Sequence, residues 1–485
     1  MKKVLVIMTM IIAVPGFAQK NVQDTSKVYK KRVLENAEID FLTSIYTQDG
    51  NNAAVTGGIG SEKLSNITPT LVISVPLNDD DILKIDGGIS AYTSASSSNL
   101  NPFTGASSGE GEDDDDDKNF NGDVVPITGS PWVASSGASK SDVLTHATFS
   151  YSHSSDNRNT IWSGNLSFST EYDYISFGLG GGVAKLFNEK NTEIGLKGKV
   201  YFDQWKPEFP TELISYFEAG RNLNNGFFSG VDILDESGNI IDKNGSTVWR
   251  PFKTTALDTK NRNSYSLSFS FSQIIGRNAQ FSIFVDIVQQ SGWLANPMQR
   301  VYFADRANYY IGNAANIPNY VSPSNTDVFR LADDIERLPS SRFKTPIGAR
   351  FSFYINEIVT LRTYYRYYTD DWGIYSHTAS LEIPVKISGK FTIYPSYRYY
   401  TQTAAYYFAP FNEHLTTDKF YTSDYDLSEL DSQQYGFGIS YTDIFTEGHI
   451  WKFRIKNIDL KYSHYQRSTG LKADIVSAGI KFVFE

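Results

Sequence analysis

The chain has 485 residues, 14% aromatic and only 20% charged, with a formal net charge of −10 and no cysteine. The missing cysteines exclude a disulfide framework and a lipid-anchored lipoprotein, and the acidic balance argues against a nucleic-acid partner. The length suits two or three soluble domains, yet no linker or change of pattern divides residues 38 to 484.

In chain order, Lys2 and Lys3 precede an apolar run from Val4 to Val14 and a small residue at Ala18. These are the three parts of a secretory signal peptide cut near Ala18, and the run is too short to span a membrane as a helix. Residues 19–37 are polar and basic and are expected to form a periplasmic segment. From residue 38 to the end, the sequence predicts a transmembrane antiparallel β-barrel of about sixteen strands (14–18). The strands are expected at 38–48, 66–76, 82–95, 142–155, 160–172, 174–187, 192–204, 262–275, 279–291, 342–355, 358–370, 374–387, 390–403, 431–443, 454–467 and 472–484. In 342–355, Phe343, Ile347, Ala349, Phe351, Phe353 and Ile355 share one face, while Lys344, Gly348, Arg350, Ser352 and Tyr354 share the other. This period of two runs longer than a soluble strand needs and fits a tilted bilayer crossing. The stretch 53–64 reads as an extension of the first hairpin.

The connections alternate. LNDDD, DNRN, NEKN, GRN, NE and SGK are tight turns on one side, while every long loop falls on the other. Short periplasmic turns with long external loops are the pattern of a bacterial barrel. The last strand alternates Val476, Ala478, Ile480, Phe482 and Phe484 with smaller or polar residues, as a closing barrel strand does.

Alternation also assigns the lumen. Arg350, Arg362, Arg366 and Arg398 lie opposite the apolar face, together with Lys386 and Glu382. The opposite register would turn four arginines to lipid at about 2–4 kcal/mol each near the midplane. Lys197, Lys199, Lys461 and Lys481 join the inward set, with Asp203, Asp286 and Asp459 as further carboxylates, and Ser264 to Ser272 form a serine row. Such a lining suits a passage favouring anions; the blander reading is that these groups brace the wall by pairing. The Tyr364-Tyr365, Tyr367-Tyr368 and Tyr399-Tyr400 pairs and Trp372 read as an aromatic girdle more readily than as sugar-stacking platforms.

The external loop before residue 142 carries GEGEDDDDDKNFNGD. Asp115, Asp117, Asn119, Asn121 and Asp123 partly match a calcium loop, but Thr128 stands where a bidentate glutamate belongs. The alternative is a solvated acidic loop. The Ser136–Ser139 stretch has the small residues of a flavin-attachment site but lacks the upstream acid. No catalytic motif is present, and the six histidines are scattered, so no enzyme is expected.

Several runs are specific: NAAVTGGIG (52–60), SASSSNLNPF (94–103), SPWVASSGAS (130–139), LFNEKNTE (186–193), RTYYRYYTDDWGI (362–374) and PSYRYYTQTAAYYFAP (395–410). Through them the mature chain resembles the domain-of-unknown-function 3570 family of Bacteroidetes and related bacteria. The resemblance implies an outer-membrane barrel with no established substrate and no catalytic residues to carry over. It also implies a neighbourhood of a periplasmic lipoprotein and redox proteins as partners. Two functions follow as expectations: a channel or transporter for small, preferably anionic solutes, or a non-conducting scaffold that docks surface or periplasmic redox or metal-pathway partners.

Overall fold

The computed structural model describes residues 31–93, 131–132, 141–255, 258–324 and 327–484. The signal peptide, most of the segment 19–37, the acidic loop with Asp115, Asp117, Asn119, Asn121 and Asp123, and Ser139 lie outside them.

Sixteen antiparallel strands form a closed barrel. They are β1 (Ala37–Asp49), β2 (Leu64–Pro76), β3 (Asp81–Thr93), β4 (Ser141–Ser154), β5 (Thr160–Thr170), β6 (Tyr174–Phe187), β7 (Thr192–Trp205) and β8 (Lys260–Gly276). They continue as β9 (Ala279–Gly292), β10 (Ser341–Tyr354), β11 (Thr360–Asp370), β12 (Tyr375–Glu382, resumed at Val385–Lys386), β13 (Phe391–Gln402), β14 (Leu430–Thr442), β15 (Phe453–Arg467) and β16 (Lys472–Phe484). Each strand pairs with its neighbours in sequence. The ring closes where β1 meets β16, with Ile39 opposite Phe482 and Ser44 opposite Ser477. Closure leaves no strand edge unpaired, which is what lets a sheet sit in hydrocarbon.

The outer face is apolar. Phe41, Leu166, Phe177, Leu196, Phe269, Ile347, Phe437 and Leu460 are each more than two-fifths exposed. A continuous band of this kind on a water-soluble protein would be an aggregation surface, whereas lipid covers it at no cost. No helix among the described residues is long and apolar enough to cross a membrane. On the inner face Leu42, beside Gly479, is still 44% exposed.

The expected strands and the alternation of connections are all present, with local differences. The expected strand 374–387 is interrupted at Ile383-Pro384. Proline has no N–H for the ladder, yet the register against β13 runs through the break, with Glu382 opposite Ser396 and Lys386 opposite Thr392. The stretch after β1 does not extend the hairpin. It turns through a 3₁₀ segment, Ala54–Thr56, and leaves by Gly57 at φ 79°, a left-handed conformation suited to glycine.

The long loops are the larger surprise, because they carry the hydrophobic core. A helix α1 (Thr211–Glu218) in the β7–β8 connection buries Leu213 and Tyr216 against Phe228, Ile233, Trp249, Phe329 and Ile335. Ile233–Leu234, Tyr310–Gly312 and Val328–Arg330 form a small sheet across two loops, and Arg300–Val301 pairs with Asp334–Ile335. Burial of each large side chain here contributes about 1.5–3 kcal/mol. Trp249 adds a hydrogen bond from its indole N–H to the Ala332 carbonyl (3.0 Å). At the centre Arg300 and Glu212, both fully buried, form a two-pronged ion pair at 2.7 and 2.9 Å, and Arg300 also donates to the Val55 carbonyl at 2.7 Å. Three connections are thereby tied into one folded body at the loop end of the barrel.

Candidate functional site: the lumen wall and its mouth

The inward set begins with β10 to β13. Their register places Arg350, Tyr364, Ser380 and Arg398 in a single row across four strands. Arg366, opposite Gly348 and Thr378, lies two residues nearer the loop end, about 7 Å along the strand. Arg362, opposite Ser352 and Glu382, lies two residues toward the tight-turn end.

These arginines are not equivalent. Arg362 donates to Glu382 at 2.9 Å, and Lys461 approaches the same carboxylate at 3.7 Å. That part of the wall is braced by pairing. Arg350 instead sits over the rings of Phe284 and Tyr364 (5.5 and 5.6 Å), which stack on each other at 5.9 Å. The Phe284 ring fits because residue 348 is glycine: a Cβ there would come within 2.1 Å of it. Arg366 leans on Tyr368 at 5.9 Å. Among the described residues no carboxylate lies within ion-pair distance of Arg350, Arg366 or Arg398. Lys386 is exposed at the turn end of β12.

The other inward carboxylates take different partners from those expected. Asp203 binds Arg262 at 2.8 Å, and Asp459 accepts from the Tyr394 hydroxyl at 2.6 Å. Glu38 meets Lys456 (2.5 Å) and Lys481 (3.3 Å) near the tight-turn end. Lys197 and Lys199 face the serine row in register with Ser268 and Ser266.

Strand alternation splits each tyrosine pair. Tyr365, Tyr367 and Tyr399 point out with the girdle, where Tyr365 hydrogen-bonds His377 at 2.7 Å. Tyr364, Tyr368 and Tyr400 point in. Trp372 is not in the girdle: it is 3% exposed, donates to the Ser341 carbonyl at 3.0 Å, and carries the Arg342 guanidinium 4.3 Å above its ring.

Trp372 leads to a chamber of about 370 Å³ at the mouth. Its walls come from the loop ends of β7 to β10 and from the β9–β10 and β13–β14 connections. Arg262 and Arg342 are there, each already paired, the second with Asp370 at 2.9 Å. The loop side supplies Gln299, Glu336 and Asp424. Gln299 donates from Nε2 to Asp424 at 2.9 Å, and Glu336 accepts from the Asn296 amide at 2.6 Å. Burial, reinforced by the neighbouring Asp424, pushes the Glu336 carboxyl up to about 8. Burial and then Asp426 likewise raise Asp424 above the usual carboxylate range. Loop residues have no period to reveal them in the sequence; only Trp205 and Trp293, just past or at strand ends, signal a mouth.

A closed sixteen-stranded barrel with an apolar exterior and a polar, partly unpaired cationic interior is a membrane-spanning β-barrel. The family described as "Protein of unknown function (DUF3570)" matches residues 4–475, and the chain belongs to that family. No curated protein matches it. Among solved structures, a bacterial polysaccharide outer membrane secretin is 9% identical (TM-score 0.41), over 95% of this chain and 100% of that one. The TodX monoaromatic hydrocarbon channel is 8% identical (TM-score 0.36; 93% and 91% covered). Pseudomonas aeruginosa OpdK with vanillate is 9% identical (TM-score 0.34; 93% and 99% covered).

Proposed function

We propose that the protein is an outer-membrane channel or transporter that passes small solutes, anions in preference, along the β10–β13 sector of its lumen. The observation that carries this reading is the contrast within that sector. Arg362 is neutralised by Glu382, while Arg350, Arg366 and Arg398 face the lumen with no carboxylate in ion-pair distance among the described residues. Fixed cations of this kind lower the barrier to anions in a low-dielectric tube. The apolar outer band supports the membrane location, and the predicted signal peptide supports the route there.

One observation favours the second reading, a non-conducting scaffold. The loops are folded around the buried Arg300–Glu212 pair at the mouth, and in that reading such a body is a docking platform for a partner at the cell surface, with any periplasmic redox or metal-pathway partner left to the opposite end of the barrel. Conductance separates the two. Purified protein inserted in planar bilayers passes current under the channel reading; a correctly folded barrel that passes none would instead support the scaffold.

A further inference from the structure

We infer that the mouth chamber is a binding site for a small organic anion, a carboxylate carried on a flat apolar body. Three features of the chamber agree on this class.

The first is its unused hydrogen-bonding capacity. The indole N–H groups of Trp205 and Trp293 and the Oε1 of Gln299 are buried and have no partner. Gln299 is only 8% exposed, and all three residues line the chamber. Each such buried group costs about 1–3 kcal/mol if left unsatisfied. Two unpartnered donors and one acceptor, all on side chains that line one cavity of this size, are the kind of equipment a ligand site carries.

The second is the charge balance. Arg262 and Arg342 are matched by Asp203 and Asp370, and Asp426 is matched by Arg467. Asp424 accepts a hydrogen bond from the Gln299 amide, which is neutral and leaves the carboxylate charge unmatched. Lys344, half-buried on the inner face of β10, lines the same cavity and has no hydrogen bond or ion pair among the described residues. Glu336 does not oppose an anion at neutral pH, since its carboxyl is held up to about 8 by burial and Asp424.

The third is the wall itself. Trp205 and Trp293, both only partly buried, offer ring surface for a flat apolar body, which a bare inorganic ion would not use. Lys344 also stands on the same inward face of β10 as Arg350, six residues nearer the mouth, or about 20 Å along the strand. The chamber is thus the first station above the arginine row. This deepens the channel reading and depends on it for the onward passage, though not for the binding.

The test is isothermal titration of the full-length protein, purified in detergent at pH 7, with benzoate, its neutral isostere benzamide, and glucose. Benzoate is expected to bind saturably, at least tenfold more tightly than either neutral probe. Lys344→Gln is expected to weaken benzoate at least tenfold, with Lys344→Arg retaining it and Trp293→Phe weakening it less. Barrel integrity of each variant is checked by heat-modifiable gel mobility. Benzamide or glucose binding as tightly as benzoate, no benzoate binding, or full binding by folded Lys344→Gln overturns the inference. Failure of the channel reading shows separately: a protein that binds benzoate through Lys344 but carries no current keeps the site and loses the channel.

Discussion

Arg300 and Glu212 form a two-pronged ion pair at 2.7 and 2.9 Å with both side chains sealed from solvent, joining loops that leave the barrel at different strands. Removing one partner of such a pair strands the other charge and costs about 3–5 kcal/mol, whereas replacing both with apolar residues of similar size is far milder. Arg300→Met or Glu212→Leu alone is therefore expected to loosen the loop body while leaving the barrel intact. Limited proteolysis between residues 206 and 340 should accelerate in each single variant and return toward the wild-type rate in the double variant. Single-channel conductance should rise in the single variants if the loop body narrows the mouth.

The lumen arginines should behave unequally. Loss of Arg366 and Arg398 together removes two unmatched charges and should reduce the preference for chloride over potassium severalfold. The paired substitution Arg362→Gln with Glu382→Gln removes a charge of each sign and should leave that preference nearly unchanged. Arg362→Ala alone, which leaves Glu382 facing the lumen with only Lys461 at 3.7 Å, should shift selectivity toward cations.

The loop body should also respond to pH with a definite sign. Glu336 has its folded-state pKa raised from 4.5 to about 8, so its protonated form is the one the fold favours. Its stabilising contribution is present below about 4.5 and is lost as pH rises through about 8. The groups facing it are the Asn296 amide, Thr422 and Asp424, and the raised pKa of Asp424 acts in the same direction. His414 acts oppositely: burial lowers its pKa, so it favours the fold above its ordinary range. Loop proteolysis measured from pH 5 to 9 should increase up to about pH 8 and level off above it, and Glu336→Gln should flatten the rise.

The two faces of the barrel wall should tolerate charge differently. Phe437, at the middle of β14, is 52% exposed on the outer face. Phe437→Arg should cost about 2–4 kcal/mol of folding into bilayers. Ser268→Arg, at the middle of β8 on the lumen side, should cost little. Urea titration of refolding into lipid vesicles, followed by gel mobility, measures both.

The barrel was legible because lipid and lumen demand opposite chemistry from alternate residues, and that demand writes a period of two across every strand. The direction of Arg366 and Arg398 followed from it. The difference between Arg362 and Arg366 did not, because it depends on which residue stands opposite across β12, a matter of register and rotamer. The loop core was hidden for a related reason. Leu213, Phe228, Trp249 and Phe329 come from separate connections with no repeat, and only the folded chain brings them together. The chamber combines both kinds of residue: Arg342 and Lys344 could be placed on the inner face by counting, while Gln299, Glu336 and Asp424 could not.

The most direct test of the central claim is the reversal potential of the purified protein in a planar bilayer under a potassium chloride gradient. The account expects a potential displaced toward the chloride equilibrium value, and a smaller displacement for the folded Arg366→Ala, Arg398→Ala variant. A cation-directed potential, or an anion-directed one that the double variant leaves unchanged, would contradict it.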